Sequence, residues 1–104
     1  MPVQHIALFQ FKTGTSAEVL RRTMDELRRL AKVIPGITNF SIGTNSSPEG
    51  LAGGLTHGFV MTFKDAAARD AYLTHPEHER FKAAALPHIE KVVVFDYEWS
   101  KVTS

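Results

Sequence analysis

The sequence predicts an α+β domain in βαββαβ order, with two helices on one face of a four-stranded antiparallel sheet. Three observations predict it. The apolar period switches from two to 3.6 residues and back, in the order strand, helix, strand, strand, broken helix, strand. Proline, glycine and capping residues fall between these segments. The 104 residues, 43% of them apolar, suit one domain spanning 1–104 with its own core.

The first strand is Val3 to Phe11. Val3, His5, Ala7, Phe9 and Phe11 share one face, and Gln4, Ile6, Leu8 and Gln10 the other. Thr15 and Glu18 have capping-box spacing, so a helix should start there. Leu20, Met24, Leu27, Leu30, Ala31 and Ile34 continue it as one apolar stripe, and Pro35-Gly36 stops it. Residues 37–45 read as a second strand, with Phe40 and Ile42 on one face and Ile37 and Asn39 on the other. Ser46 to Gly54 is a loop rich in glycine. His57 to Lys64 is the third strand, with His57, Phe59, Met61 and Phe63 on one face. Asp65 should cap a helix through Thr74. Pro76 excludes His75 from the α region and opens a further helix to about Leu86, which Pro87 ends. Lys91 to Trp99 is the last strand, with Val93, Phe95, Tyr97 and Trp99 opposite Val92 and Val94. This is the ferredoxin-like order.

Composition removes several classes of function. Cysteine is absent, which excludes disulfides, thiolate nucleophiles, iron–sulfur clusters and cysteine zinc sites. The formal charge of +1 offers no strong field for nucleic acid or an anionic membrane. The cluster Arg21, Arg22, Arg28, Arg29 and Lys32 reads as a solvated face, paired at the i,i+4 spacings Glu18–Arg22 and Asp25–Arg29. No apolar run reaches membrane-spanning length, and Met1 to His5 lacks the basic start of a signal peptide, so a cytoplasmic address is expected. No Gly-x-Ser-x-Gly elbow occurs, and Gly50-Leu51-Ala52-Gly53-Gly54 lacks the Lys-Ser/Thr of a phosphate loop. A metal site is not expected, because the proline break spoils the His75–His78 pair for helical ligation.

Two helices cover only one face of such a sheet, yet the strands are apolar on both. Ile6, Leu8 and Val60 would stay wet in a lone subunit. A two-fold homodimer packing these bare faces together is the economical solution, with an edge-to-edge dimer as the alternative, because apolar content alone does not fix the geometry.

The opening His5-Ile-Ala-Leu-Phe-Gln-Phe-Lys12, Thr56-His57, Tyr72 with His75-Pro76-Glu77-His78, and the closing Val92-Val93-Val94-Phe95-Asp96-Tyr97 together resemble the stress-responsive dimeric α/β-barrel family. The resemblance covers residues 2 to about 98. It implies a barrel made by two ferredoxin-like sheets. It also implies a site, because a plant member of the family closes a linear polyketide by aldol chemistry without any cofactor. In that enzyme a tyrosine and a histidine of the broken helix act together, and by local motif they match Tyr72 and His78. Its two strand histidines match His5 and His57.

Strand phase is an independent check. If the faces carrying His5 and His57 point toward the helices, both histidines converge on Tyr72 and His78. The candidate catalytic residues are Tyr72 and His78. The candidate substrate-binding residues are His5, His57, Ala7, Phe9, Met24, Leu27 and Phe59, around a small apolar or aromatic ligand. His78 falls in the first turn after Pro76, where unpaired backbone N–H groups disfavour an imidazolium, while Glu77 and Glu79 favour it, so the sequence leaves the net sign open. The site is expected to bind such a ligand, with or without converting it; the chemistry its residues would support is proton abstraction by His78 and proton donation by Tyr72 to a developing enolate. Two other readings stand beside it: a stress-linked structural protein without turnover, and a cofactor-free oxygenase of a phenol. A cavity beneath the helices favours ligand binding or acid–base chemistry. A space filled by Met24, Phe59 and Phe63 favours the structural one.

Overall fold

The computed structural model describes residues 1–100, so the last four residues of the predicted domain lie outside the described residues. The elements are β1 (Val3–Phe11), α1 (Ala17–Val33), β2 (Ile37–Thr44), β3 (His57–Phe63), α2 (Ala66–Leu73), α3 (Pro76–Ala85) and β4 (Ile89–Glu98), with a single 3-10 turn, Leu86–His88, before β4. They form one four-stranded antiparallel sheet in the order β2-β3-β1-β4, with the helices on one face. This is the predicted α+β, ferredoxin-like βαββαβ fold.

Period-two alternation on β1 puts Val3, Ala7 and Phe9 in the core beneath the helices. Direct cross-strand partners extend that face to Phe59, Met61 and Phe63 on β3. The stripe of α1 seals it with Leu27, Leu30 and Ile34. Met61, Phe63 and Leu30 are completely buried, and each contributes roughly 1.5–3 kcal/mol by leaving water.

Four local readings needed correction. Ser16, not Thr15, caps α1: its hydroxyl accepts from the Val19 N–H at 3.2 Å, while the Thr15 hydroxyl donates to the Lys12 carbonyl. The ladder slips between Ile37 and Asn39, and Ile37 pairs with Phe63. That one-residue bulge returns Ile37 to the core face beside Phe40, opposite to strict alternation. Pro87 sits inside the 3-10 turn rather than ending the helix outright, and β4 begins at Ile89 because Ile89 pairs with Phe11 across a second register shift. The arginines of α1 pair at i,i+3, Arg28 with Asp25 and Arg29 with Glu26, and Arg29 also reaches Glu77 on α3 at 2.7 Å.

Pro35-Gly36 joins α1 to β2 at a position only glycine suits. Gly36 has φ +91°, and a Cβ there would meet the Ala68 Cβ at 2.6 Å. The opposite sheet face carries Ile6 between Val60 and Phe95, and Leu8 between Gly58 and Val93. Leu8 lies flat across Gly58, where an added Cβ would come within 2.8 Å of its Cδ2. In the single chain this face is open: Phe95 is 62% exposed and Leu8 40%. Among the described residues, no helix is long and apolar enough to cross a membrane.

Candidate functional site

A cavity of about 300 Å³ lies between the β1–β4 half of the sheet and helices α2 and α3, with α1 along one side. Each functional side chain reaches it for a local reason. His5 points in because its strand face carries Val3 and Ala7 into the core. Asp65 starts α2 by accepting from the Ala68 N–H at 2.8 Å, and Tyr72 then falls on the buried side of that helix. His75 starts α3, its Nδ1 accepting from the Glu77 N–H at 3.1 Å, with Pro76 as the first helical residue. The change of direction at this junction brings His78 back against Tyr72.

The Tyr72 and His78 rings lie 4.2 Å apart, centroid to centroid. The His5 ring also stands edge-on to Tyr72 at 5.7 Å. The phenol is thus in contact with two imidazoles. His78 Nδ1 is 3.3 Å from the Leu73 carbonyl, to which it donates, so its Nε2 carries the lone pair. Burial pushes the Tyr72 phenol well above its ordinary value, so it remains a proton donor throughout the neutral range. Burial likewise holds the His78 imidazolium below its ordinary value, outweighing the stabilising Leu73 carbonyl. The sequence left the sign open between the helix terminus and Glu77 and Glu79; in the structure desolvation is the leading cause and lowers the value.

Of the sequence-predicted residues, Tyr72, His78, His5, Ala7, Phe9, Leu27 and Phe59 line this cavity. His57 and Met24 do not. His57 lies at the neighbouring end of the sheet, stacked on Phe9 with centroids 5.8 Å apart and edge-on to Phe11, its Nδ1 bonded to the Thr56 hydroxyl at 2.8 Å. Burial lowers its pKa as well. Met24 turns into the packing between α1 and the sheet. Phe63, the other residue expected to fill the space, packs against Tyr72 outside the cavity lining.

Sequence reasoning missed the α3 side, Phe81, Lys82, Ala85 and Leu86, and the floor made by Ile89, Val92 and Val94. The alternation of β4 carried a signal for the last two, which share a strand face with Asp96. Asp96 is the direct cross-strand partner of His5, and its Oδ1 is 2.7 Å from His5 Nδ1. Arg69 Nη1 donates to the other carboxylate oxygen at 2.9 Å. The lining residues are apolar except for His5, Tyr72, His78, Thr23 and Lys82, of which Thr23 donates to the Val19 carbonyl and Lys82 pairs with Glu79. Among the described residues, no three His, Asp or Glu side chains cluster as a metal site.

Fold and cavity together define a class: a small ferredoxin-like α+β domain with proton-bearing side chains gathered in an apolar pocket. The chain belongs to the stress responsive A/B barrel domain family, whose model matches residues 3–99. It is 34% identical over 102 residues to the stress-response A/B barrel domain-containing protein HS1 of Arabidopsis thaliana, covering 98% of this chain and 94% of that protein. It is 25% identical over 97 residues to olivetolic acid cyclase of Cannabis sativa, covering 93% of this chain and 96% of the cyclase. Among solved structures it superposes on hydroxynitrile lyase from Passiflora edulis with a TM-score of 0.90 at 25% identity, covering 99% of this chain and 97% of the lyase. A dimeric ferredoxin-like protein of unknown function from Jannaschia sp. superposes with a TM-score of 0.84 at 28% identity, covering 95% of this chain and all of that one.

Proposed function

We propose that this protein binds a small aromatic or polyketide-like molecule in the α2–α3 cavity and moves a proton on it without a cofactor. His78 takes a proton from a carbon or oxygen of the ligand through Nε2. Tyr72 donates its phenolic hydrogen to the oxygen where negative charge develops. The observation that carries this reading is the contact of the Tyr72 and His78 rings at the wall of an apolar cavity. A phenol kept protonated and an imidazole kept neutral form an acid–base pair suited to the neutral range. The presence of a cyclase and a lyase among the related proteins supports an enzymatic use of the space. The dimeric neighbour, and the apolar sheet face left open in one chain, support a homodimer closed across that face.

The test is proton exchange. Aryl methyl ketones, linear triketones and aromatic hydroxynitriles are incubated with the protein in D2O and followed by NMR for deuteration, ring closure or cleavage. Removing one member of such a pair lowers the rate by about 10²-fold or more. His78→Ala and Tyr72→Phe should therefore each abolish most turnover while keeping the wild-type circular dichroism and dimer. Variants with wild-type rates would reject the assigned roles. Ligand-independent spectra and no turnover with any of these compounds would return the structural reading. Oxygen consumption with a quinol would return the oxygenase.

A further inference from the structure

His5 is buried, lines the cavity and stands beside Tyr72, yet the acid–base pair above does not use it. Its hydrogen bonding determines what it can do. Asp96 faces it directly across the antiparallel β1–β4 ladder, so both side chains leave the sheet on the helix side. The 2.7 Å contact joins His5 Nδ1 to a carboxylate oxygen. A carboxylate only accepts, so Nδ1 must carry the hydrogen, and in the neutral ring Nε2 is then left with the lone pair.

Asp96 is itself held from behind. Its second oxygen accepts from Arg69 Nη1 at 2.9 Å, and Arg69 Nε donates to Asp70 at 2.8 Å. The two carboxylates fix the guanidinium by two different nitrogens and raise its pKa, so it stays charged. Arg69 lies three residues before Tyr72 on α2, so the same helix carries the phenol and anchors the carboxylate that orients His5.

We propose that Arg69 and Asp96 are positioning residues that lock His5 in the Nδ1–H tautomer, presenting its Nε2 lone pair to the cavity as a second proton acceptor beside Tyr72, in addition to His78. When His5 takes a proton from a ligand O–H or N–H, the imidazolium that forms lies between the new N–H and the Asp96 carboxylate. The charge sequence then alternates from His5 cation to Asp96 anion to Arg69 cation. Two acceptors beside one donor suit a ligand that gives up protons at two positions, such as a hydroxyl and an activated carbon on one aromatic or enolic skeleton. That consequence rests on the proposed function; the tautomer does not.

Ring-nitrogen NMR tests it without any substrate. In 15N-labelled protein at pH 8, long-range 1H–15N correlations should show His5 Nδ1 as pyrrole-like and Nε2 as pyridine-like. Asp96→Asn can offer an N–H to Nδ1 and should invert the pattern. Arg69→Met should leave Asp96 free to turn and broaden or average the two signals, and Arg69→Lys should restore part of the order. An Nε2–H tautomer in the wild-type protein, a doubly protonated ring at pH 8, or an unchanged pattern in a folded Asp96→Asn variant would each overturn the proposal. The wild-type spectrum decides the tautomer even if a variant fails to fold. A positive spectrum with no turnover would sink the proposed function and leave this assignment standing.

Discussion

The two faces of the sheet are made from the same residue types and have opposite fates. On β3, Met61 and Phe63 are fully buried, while Val60, one step before Met61, is 36% exposed. On β1, Ala7 and Phe9 are buried and Leu8 is open. One step along a strand exchanges one environment for the other, because successive side chains leave a pleated backbone on opposite sides. What differs is the cover: α1, α2 and α3 roof one face, and none of the described residues roofs the other. The roofed face is itself divided. Its β2–β3 half is packed solid around Phe63, and its β1–β4 half retains the cavity. Cohesion is concentrated where side chains fill the space. Chemistry is possible where they do not.

The largest effect should come from the solid half. Phe63→Ala removes a completely buried ring against Tyr72 and should cost about 3–5 kcal/mol, read as a lower urea midpoint with an unchanged slope. A loss below about 1 kcal/mol would mean that this half is not the cohesive one. On the open face, Leu8→Asp places a charge at the centre of the proposed dimer contact. Sedimentation should then show a folded monomer where the wild-type protein is a dimer; an unchanged dimer would move the contact to a strand edge. The smallest effect concerns acid. Burial lowers the folded-state pKa of His78 below its ordinary value of 6.5. The unfolded chain therefore binds the proton more readily. His78 leaves stability undiminished above about pH 6.5 and reduces it as pH falls from there through the folded value. His78→Gln should flatten the slope of stability against pH in that acid window. A slope identical to wild type would place His78 in solvent.

Tyr72, His78 and His5 were legible through the family resemblance, with strand phase as a check on His5. Ala7, Phe9, Leu27 and Phe59 also line the cavity, and each belongs to an apolar strand face or helix stripe that is readable locally. His57 was misplaced because phase assigns a face and not a position along it: it shares the face of His5 yet stacks at the far end on Phe9. Asp96 was quoted within the Phe95-Asp96-Tyr97 motif without a partner. Its bond to His5 depends on the register between two strands 91 residues apart. The start of α1 was off by one residue, since Thr15 and Ser16 both offer a hydroxyl and only backbone direction chooses between them. Ile37 was assigned to the wrong face because a bulge adds a residue that alternation cannot foresee.

The sequence by itself determined the order of the elements, the faces of β1 and β3, and the residue types able to exchange protons, all consequences of short-range periodicity and backbone sterics. Tertiary structure alone decided that the α2–α3 junction folds His78 back onto Tyr72 and that β4 brings Asp96 opposite His5. It alone decided that Met24 and Phe63 pack elsewhere and leave the space open. These relations depend on distances between segments remote in the chain, and such distances exist only once helices and strands have packed.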